Sequence, residues 1–289
     1  MTKKIIFAVI FLLALGSLAG QLGIDKAWAW NNADHPWITE QAVKMVKNDF
    51  AILFEEYDDY AEALDPYIAK LKQGSSDADA FSTTVPNEII TIRFFGKKYT
   101  VYMPTTEHYY DYHSGKGAFE YFRSARQKAD EYYKTAKEKW QAGEYEEAML
   151  FLGRALHMVQ DVSIPQHTEI GYKAVLNAEG YPNWASNHRD DYKLTGGGIY
   201  NLAGIGTHVH ENAKLCNGYL KYVDGLNPWW IFKIFVKDDY GRATEACLKQ
   251  AQKSTAGVIA MFLKEVLPEP QPVKEIRKAR NVLEPKEVD

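Results

Sequence analysis

The sequence predicts an all-α protein: a single multi-helix domain with one small β-hairpin. Apolar residues recur at helical spacing in three long sections, residues 34–74, 117–162 and 203–266. By contrast, the stretch EIITIRFFGKKYTVYMP, residues 88–104, alternates in the manner of strands on either side of a Gly-Lys-Lys turn. No internal repeat divides these sections, so we expect one domain over residues 30–267.

The first 29 residues have the pattern of a secretory signal peptide. Lys3 and Lys4 precede the apolar run IIFAVIFLLALGSLAG, and small residues follow at Ala27 and Ala29. We therefore predict cleavage between Ala29 and Trp30 and secretion of the mature protein. After cleavage no apolar run approaches the roughly 18 residues that span a bilayer, so we expect no transmembrane anchor.

Helix start and stop signals give the first two helical sections their expected bounds. The first begins at Asp34, a candidate N-cap, with Pro36 in the first turn, and is expected to end at Gly74. The second is expected to break near Gly143 and to stop at Pro165, because proline cannot continue a helix.

Glycine and proline mark the rest of the chain. Residues 168–206 are expected to form loops, and the third helical section is expected to be interrupted at residues 225–228. Residues 268–289 begin with three closely spaced prolines, which indicates a poorly packed C-terminal tail.

Charge and cysteine content limit the possible partners and metal ligands. The formal net charge of the chain is −4, which gives no broad basic surface for a stable nucleic-acid partner, and we expect a monomer. The two cysteines, Cys216 and Cys247, could form one disulfide in an oxidising exterior. Two thiols cannot build a thiolate metal cluster, so a metal site here would use nitrogen and oxygen ligands.

The stretch LGRALHMVQDVSIPQH, residues 152–167, carries three side chains that can bind metal: His157, Asp161 and His167. On a helix, His157 and Asp161 share a face because they are four residues apart, so one ion could touch both. The pair also fits a second interpretation, a solvated polar face, since it falls nearly opposite the apolar positions of the helix. Those apolar positions are Ala148, Leu152, Ala155, Leu156 and Val159.

Several stretches follow a shared pattern. One reads LHMVQDVSIPQH, another is GSSDAD ending at Asp79, a third is HYYDYHSGK beginning at His108, and Trp30 precedes His35 by five residues. Together they resemble the LHxxGDxxxPxH, Gly-x4-Asp, His-Phe-Tyr-Asp-Pro and amino-terminal Trp/His motifs of the bacterial zinc-dependent phospholipase C family and the related single-strand-specific zinc nucleases. Gln160 stands where glycine is usual.

Two more stretches, AGEYEEAMLFLG and KSTAGVIAMFL, resemble the phospholipase branch in particular. The resemblance spans about residues 30–266, nearly the whole mature chain. It implies a phospholipase C-like helical domain over residues 30–267 and a zinc-dependent site.

The resemblance implies at least two zinc ions. One would be held by Asp79, His108, His157 and Asp161, and the other by the amino nitrogen and carbonyl of Trp30, by His35 and by the bridging Asp161. Paired ions suit phosphodiester cleavage, because they lower the pKa of a bound water toward about 7 and neutralise charge on the phosphoryl oxygens. The resemblance also makes Asp79 the expected general base.

The third zinc site of the family is altered in this chain. The resemblance gives it His167 and a His-x3-Glu pair, but Ala178 and Pro182 stand at the positions of that pair, and neither can bind metal. Possible substitutes are Glu179, Asn183, His188 and Asp191. The sequence therefore predicts two ions and leaves the third site open.

The implied reaction is hydrolysis of the glycerol-side phosphodiester of phospholipids at a membrane surface, by a metal-activated water. The segment PWWIFKIFV, residues 228–236, is interpreted first as a buried core helix, and its aromatic residues also suit a bilayer interface, which is the alternative. A zinc-dependent nuclease or nucleotidase is the runner-up activity. Because two third-site ligands are replaced, a degenerate, non-catalytic homologue is a further interpretation.

Overall fold

The computed structural model describes residue 30 and residues 33–49, 64–78, 89–94, 97–102, 106–117, 123–169, 181–196, 201–223 and 239–267. Some predictions concern residues outside these ranges. They are the signal peptide, Asp79, Ala178, Glu179, the aromatic segment 228–236, the interruption at 225–228 and the tail 268–289.

The described part of the chain is mostly helical, as the sequence predicts. Its α-helices are α1 (Asp34–Asn48), α2 (Ile68–Asp77), α3 (Ala125–Gln141), α4 (Tyr145–Asp161), α5 (Tyr181–His188), α6 (Ile205–Asn217), α7 (Leu220–Val223) and α8 (Tyr240–Val266). Short 3₁₀ turns lie at Thr106–His108, Pro165–Thr168 and Arg189–Tyr192. None of these helices combines the length and apolar character needed to cross a bilayer.

Between α2 and α3 the backbone forms a two-stranded antiparallel pair. Strand β1 (Ile89–Phe94) lies alongside β2 (Lys97–Tyr102), with Ile89 opposite Tyr102 and Phe94 opposite Lys97. The sequence places Lys97 in the turn, whereas the structure starts β2 at that residue. A two-residue connection therefore joins the strands.

Helix α4 occupies the centre of the molecule. It packs against α1, α2, α3, α6 and α8. Every side chain from Leu152 to Asp161 is buried, so this part of α4 has no polar stripe facing solvent. A helix that is enclosed on all sides is a core helix. The solvated-face interpretation of His157 and Asp161 is therefore wrong, because both residues are 0% exposed.

The closest approach of α2 to α4 depends on two glycines. A Cβ built on Gly74 would lie 2.0 Å from the carbonyl oxygen of Leu150, and one built on Gly153 would lie 2.3 Å from that of Leu71. The sequence prediction that Gly74 ends the helix is wrong, since α2 continues to Asp77. Gly74 serves the packing of the two helices and does not terminate one of them.

Backbone conformation and side-chain hydrogen bonds explain two further helix boundaries, that between α3 and α4 and the start of α1. Gly143 takes a φ of +80°, which only glycine adopts readily, and it separates α3 from α4 as predicted. Asp34 is the first residue of α1 and not its N-cap; its buried carboxylate instead accepts hydrogen bonds from Arg189 and from Ser186, the latter at 3.0 Å. This contact ties the start of α1 to the region that the sequence predicts as loops, where α5 in fact forms.

A second, smaller core lies beside the main one. It contains Trp30, Ile38, Ile164, Tyr181, Ala185, Val223, Ala243, Leu248 and Ala251. Next to it, Cys216 and Cys247 are buried as free thiols, so the disulfide that the sequence allows is not formed. Burial and the adjacent Cys247 side chain raise the pKa of the Cys216 thiol well above its usual value.

Candidate metal centre

Four buried side chains from three parts of the chain meet at the carboxyl-terminal end of α4. His35 comes from α1, His108 from the 3₁₀ turn that follows the hairpin, and His157 and Asp161 from the last turns of α4. Their exposed fractions lie between 0% and 4%. The sequence predicted all four as metal ligands, and the structure brings them together.

His157 is oriented by the backbone of α2. Its Nδ1 lies 2.7 Å from the carbonyl oxygen of Ser75, and a carbonyl can only accept a hydrogen bond, so Nδ1 carries the hydrogen. In the neutral ring the other nitrogen, Nε2, then presents a lone pair. The Nε2 atom of His157 lies 3.0 Å from Oδ2 of Asp161.

His35 is oriented by α4 itself. Its Nδ1 lies 2.8 Å from the amide oxygen Oε1 of Gln160, and its Nε2 lies 3.4 Å from Oδ1 of Asp161. The imidazole rings of His35 and His157 stack with their centroids 3.9 Å apart. Both rings thus present Nε2 to the same carboxylate from neighbouring positions.

His108 approaches Asp161 from the 3₁₀ turn Thr106–His108. Its Nδ1 is hydrogen-bonded to Oδ2 of Asp161 and lies 3.1 Å from Nε2 of His157. Burial alone would raise the pKa of the Asp161 carboxyl, but the adjacent His157 and His108 outweigh burial and hold that pKa well below its usual range. Asp161 is therefore a carboxylate at neutral pH.

The turn that carries His108 is fixed to α3 by charged groups. Glu107 pairs with Arg123 at 2.9 Å and with Lys128 at 3.6 Å. The Lys128 side chain is completely buried and its ammonium lies over the Tyr132 ring, 4.6 Å from the centroid. A buried charge of this kind is retained only when it is paired, so the cluster fixes the position of the turn.

The donor set fits a zinc ion. Ligand atoms on His35, His157 and Asp161 all lie within 4.8 Å of one another. Nitrogen and carboxylate ligands of zinc lie about 2.0–2.2 Å from the ion, so two ligands of one ion are separated by roughly 3.3–3.6 Å, close to the spacing seen here. An unprotonated Nε2 of His157 so close to a carboxylate oxygen would be repelled by it, and a cation held by both atoms would relieve that repulsion. Among the described residues, no hydrogen bond is assigned to the buried Oδ1 of Asp161.

Two further predicted ligands lie at the edge of the centre. The Nδ1 of His167 lies 3.1 Å from the carbonyl oxygen of His108, and its ring stacks on Tyr109 with centroids 4.3 Å apart. The buried indole of Trp30 donates from Nε1 to the carbonyl of Gln160 at 3.0 Å. His167 thus lies next to His108, and Trp30 lies at the same end of α4 as Asp161. Asp79 lies outside the described residues, one position after the buried Ala78.

The possible substitutes for the third-site ligands lie on α5 and the turn after it. His188 uses Nδ1 to donate to the carbonyl of Trp184 at 2.7 Å, and its ring stacks on that indole at 3.9 Å. Asn183 and Asp191 are exposed, and Pro182 is buried without a donor atom in its side chain. In the described residues, these side chains do not join the group formed by His35, His157 and Asp161.

Sequence reasoning missed the groups that orient the ligands. The Ser75 carbonyl is a backbone atom, which no sequence motif can reveal. The amide nitrogen of Gln160 donates to the hydroxyls of Thr39 at 3.0 Å and Thr255 at 3.3 Å, which join α1 and α8 to α4. The only sequence signal for this network was a glutamine at a position where glycine is usual.

The buried histidine-carboxylate centre in this helical fold has the donor set of a metal site. The family model described as zinc dependent phospholipase C matches residues 34–226. The chain therefore belongs to the zinc-dependent phospholipase C family, a family of phosphodiester hydrolases.

Curated relatives agree with this assignment. Phospholipase C of Bacillus cereus is 25% identical over 244 residues, which cover 79% of this chain and 80% of the relative. Phospholipase C of Paraclostridium bifermentans is 22% identical over 281 residues, covering 89% of this chain and 65% of the relative.

Solved structures show the same helical fold. Alpha toxin from Clostridium absonum superposes with a TM-score of 0.62 at 18% identity, over 81% of this chain and 64% of the toxin chain. This chain thus spans less than two thirds of the toxin. The likeness supports the all-α class but gives no support to a β-hairpin insertion, so the antiparallel pair of β1 and β2 rests on the backbone of this structure alone.

Proposed function

We propose that this protein is a secreted zinc-dependent phospholipase C that hydrolyses the glycerol-side phosphodiester of phospholipids at a membrane surface. The observation that carries the proposal is the convergence of His35, His108 and His157 on the buried carboxylate of Asp161. The family and its named phospholipase C relatives supply the substrate class.

We assign two zinc ions to the centre, and Asp161 would contribute to holding both. The residues that would hold the first are Asp79, His108, His157 and Asp161, and those that would hold the second are Trp30, His35 and Asp161. One position in the chain and one hydrogen bond support this assignment. The Ser75 carbonyl that orients His157 lies four residues before Asp79, and the Trp30 indole is bonded to the residue next to Asp161.

When bound, zinc supplies a Lewis acid for the phosphoryl oxygens and lowers the pKa of a bound water toward about 7. The chain's own residues supply the rest. His157 and His35 keep their Nε2 atoms directed at Asp161, and the low pKa of Asp161 keeps that carboxylate charged. Asp79 is proposed as the general base, which takes the proton from the attacking water.

We further propose that the mature protein begins at Trp30, with residues 1–29 removed as a signal peptide. The terminal amine binds metal only when it is deprotonated, and its unperturbed pKa is about 8, so a metal must favour the neutral form. Removal of the signal peptide would then create a ligand. A version with one residue added before Trp30 should bind one zinc ion fewer, and full metal content in that version would refute the idea.

The test of the proposed function uses protein that starts at Trp30. Its zinc content is measured by elemental analysis, and its activity is assayed on phosphatidylcholine vesicles and on single-stranded DNA, with a chelated sample as control. We expect two equivalents of zinc and release of phosphocholine. Cleavage of DNA without lipid hydrolysis would favour the nuclease, and metal binding without activity on either substrate would favour the non-catalytic homologue.

A further inference from the structure

Gln160 occupies a position where the family motif has glycine, and its side chain is completely buried. Its amide oxygen lies 2.8 Å from Nδ1 of His35. Its amide nitrogen donates to the hydroxyls of Thr39 and Thr255, at 3.0 and 3.3 Å. The side chain thus joins three helices, α1, α4 and α8, and both of its polar atoms are used.

The backbone of the same residue holds another part of the centre. The carbonyl of Gln160 accepts the Trp30 indole hydrogen bond at 3.0 Å, and Asp161 follows directly in the chain. One residue is therefore bonded or adjacent to Trp30, His35 and Asp161. These are the residues that the proposed function assigns to the second ion.

The orientation of the amide determines which nitrogen of His35 can bind metal. An amide oxygen only accepts, so in this orientation the His35 hydrogen is on Nδ1 and the lone pair is on Nε2. The Nε2 atom of His35 lies 3.4 Å from Oδ1 of Asp161. If the amide were rotated by 180°, its nitrogen would donate to Nδ1 and the hydrogen of His35 would move to Nε2, where it would block the metal.

We propose that Gln160 is a positioning residue for the second zinc ion: it fixes the tautomer and the position of His35 and anchors Trp30 beside it. This inference rests on the proposed two-ion centre. It adds that the centre is not supported evenly, because His157 depends on the backbone of α2, whereas His35 depends on a side chain at a motif position where glycine is usual.

The decisive variant is Gln160→Met, which keeps the length of the side chain and removes its polar atoms. We expect one zinc ion to bind about 10- to 100-fold more weakly, as is typical when a group that orients a ligand histidine is lost. The other ion should bind as in the wild type. Both affinities are measured by competition with a chromophoric chelator.

Two further variants separate positioning from a merely structural role. Gln160→Glu keeps an acceptor for His35, and the threonine hydroxyls can turn to donate to it, so it should restore binding of the second ion. Gln252→Met removes another fully buried glutamine, one that bonds to Tyr192 and Leu194 away from the centre. It should lower stability and leave both ions bound.

The tautomer is measured directly in zinc-free wild-type protein by ¹⁵N NMR of the histidine rings at pH 8, with His35 assigned from a His35→Gln sample. We expect the hydrogen on Nδ1 of His35. A hydrogen on Nε2, or a Gln160→Met protein that binds both ions as tightly as the wild type, would overturn the proposal. The wild-type measurement decides the matter if Gln160→Met does not fold. If these results hold but no phospholipid is hydrolysed, the proposed function fails and the role of Gln160 stands.

Discussion

At the scale of single residues, Asp161 is the group on which the centre depends. It is completely buried, yet its pKa is held well below the usual range by the histidines around it. The spacing of His157 and Asp161 in the sequence indicated that one ion could touch both, and the family resemblance was needed to prefer that interpretation to a solvated face. Their burial was not predictable from α4 alone, because it results from packing of helices distant in sequence.

We expect Asp161→Asn to abolish tight zinc binding and hydrolysis while the fold is kept. The change removes the charge that attracts the cation but preserves the shape of the side chain. Zinc content by elemental analysis and the circular dichroism spectrum are the measurements. Asp190→Asn, which changes an exposed carboxylate that is not among the candidate ligands, is the matched control. Zinc content equal to that of the wild type would show that Asp161 is not a ligand.

At the scale of helices, the crossing of α2 and α4 determines where the centre forms. Gly74 and Gly153 let the two backbones approach closely, and this brings the Ser75 carbonyl within 2.7 Å of His157. The sequence suggested a helix end at Gly74, because glycine weakens an isolated helix. Only the neighbouring helix reveals that this glycine is required for contact, which local sequence cannot indicate.

Gly74→Ala should destabilise the protein by about 1–3 kcal/mol, because the added methyl group meets backbone atoms that cannot rotate away. Urea unfolding followed by circular dichroism gives the free energy. Gly204→Ala is the control, since a Cβ there meets nothing within 4 Å. Equal effects of the two substitutions would contradict a close crossing at Gly74.

The packing of α6 against α8 buries a histidine that has no role in the centre. Burial lowers the pKa of His208 from 6.5 to about 4, against the opposing effect of the backbone at Asn201 and Ala203. Its contact with Gly257 explains why the ring is enclosed, since a Cβ on that glycine would lie 2.8 Å from Cε1 of His208. His208 is therefore neutral in the folded protein at pH 7.

The pH dependence follows from the sign of this shift. The unfolded chain takes up a proton on His208 below about pH 6.5 and the folded protein does so only near pH 4, so stability is complete above 6.5 and falls between these values. The loss could reach roughly 3 kcal/mol. We expect His208→Gln to have a shallower decline over this range in urea unfolding. Identical slopes for both proteins would contradict the assignment.

At the scale of the whole molecule, the candidate metal centre lies at the carboxyl-terminal end of α4, where segments distant in sequence converge. Helices α1 and α4, together with the 3₁₀ turn at His108, supply the candidate ligands that the structure describes, and α2 supplies the carbonyl that orients one of them. The sequence predicted the helical class from apolar spacing, and the motifs predicted the candidate ligands, of which His35, His108, His157 and Asp161 lie together in the structure. It missed α5, because the glycines and prolines around that helix indicate loops.

Removal of zinc should therefore weaken the fold as a whole. A ligand that binds only the folded state at a thousandfold excess over its dissociation constant stabilises that state by about 4 kcal/mol. We expect a chelator to lower the thermal midpoint and added zinc to restore it. The Asp161→Asn protein should not respond to either treatment. A midpoint that is the same with and without zinc would mean that the centre does not bind the ion in the folded state.

The contact between His157 and the Ser75 carbonyl has a consequence for how such enzymes diverge. Every amino acid at position 75 carries the same carbonyl, so side-chain mutagenesis at that site would pass over its role, although the residue must stay small enough for its fully buried position. The support of His35 comes from the Gln160 side chain, which a single substitution can remove. Over evolutionary time, one half of the centre can drift while the other stays fixed by main-chain geometry.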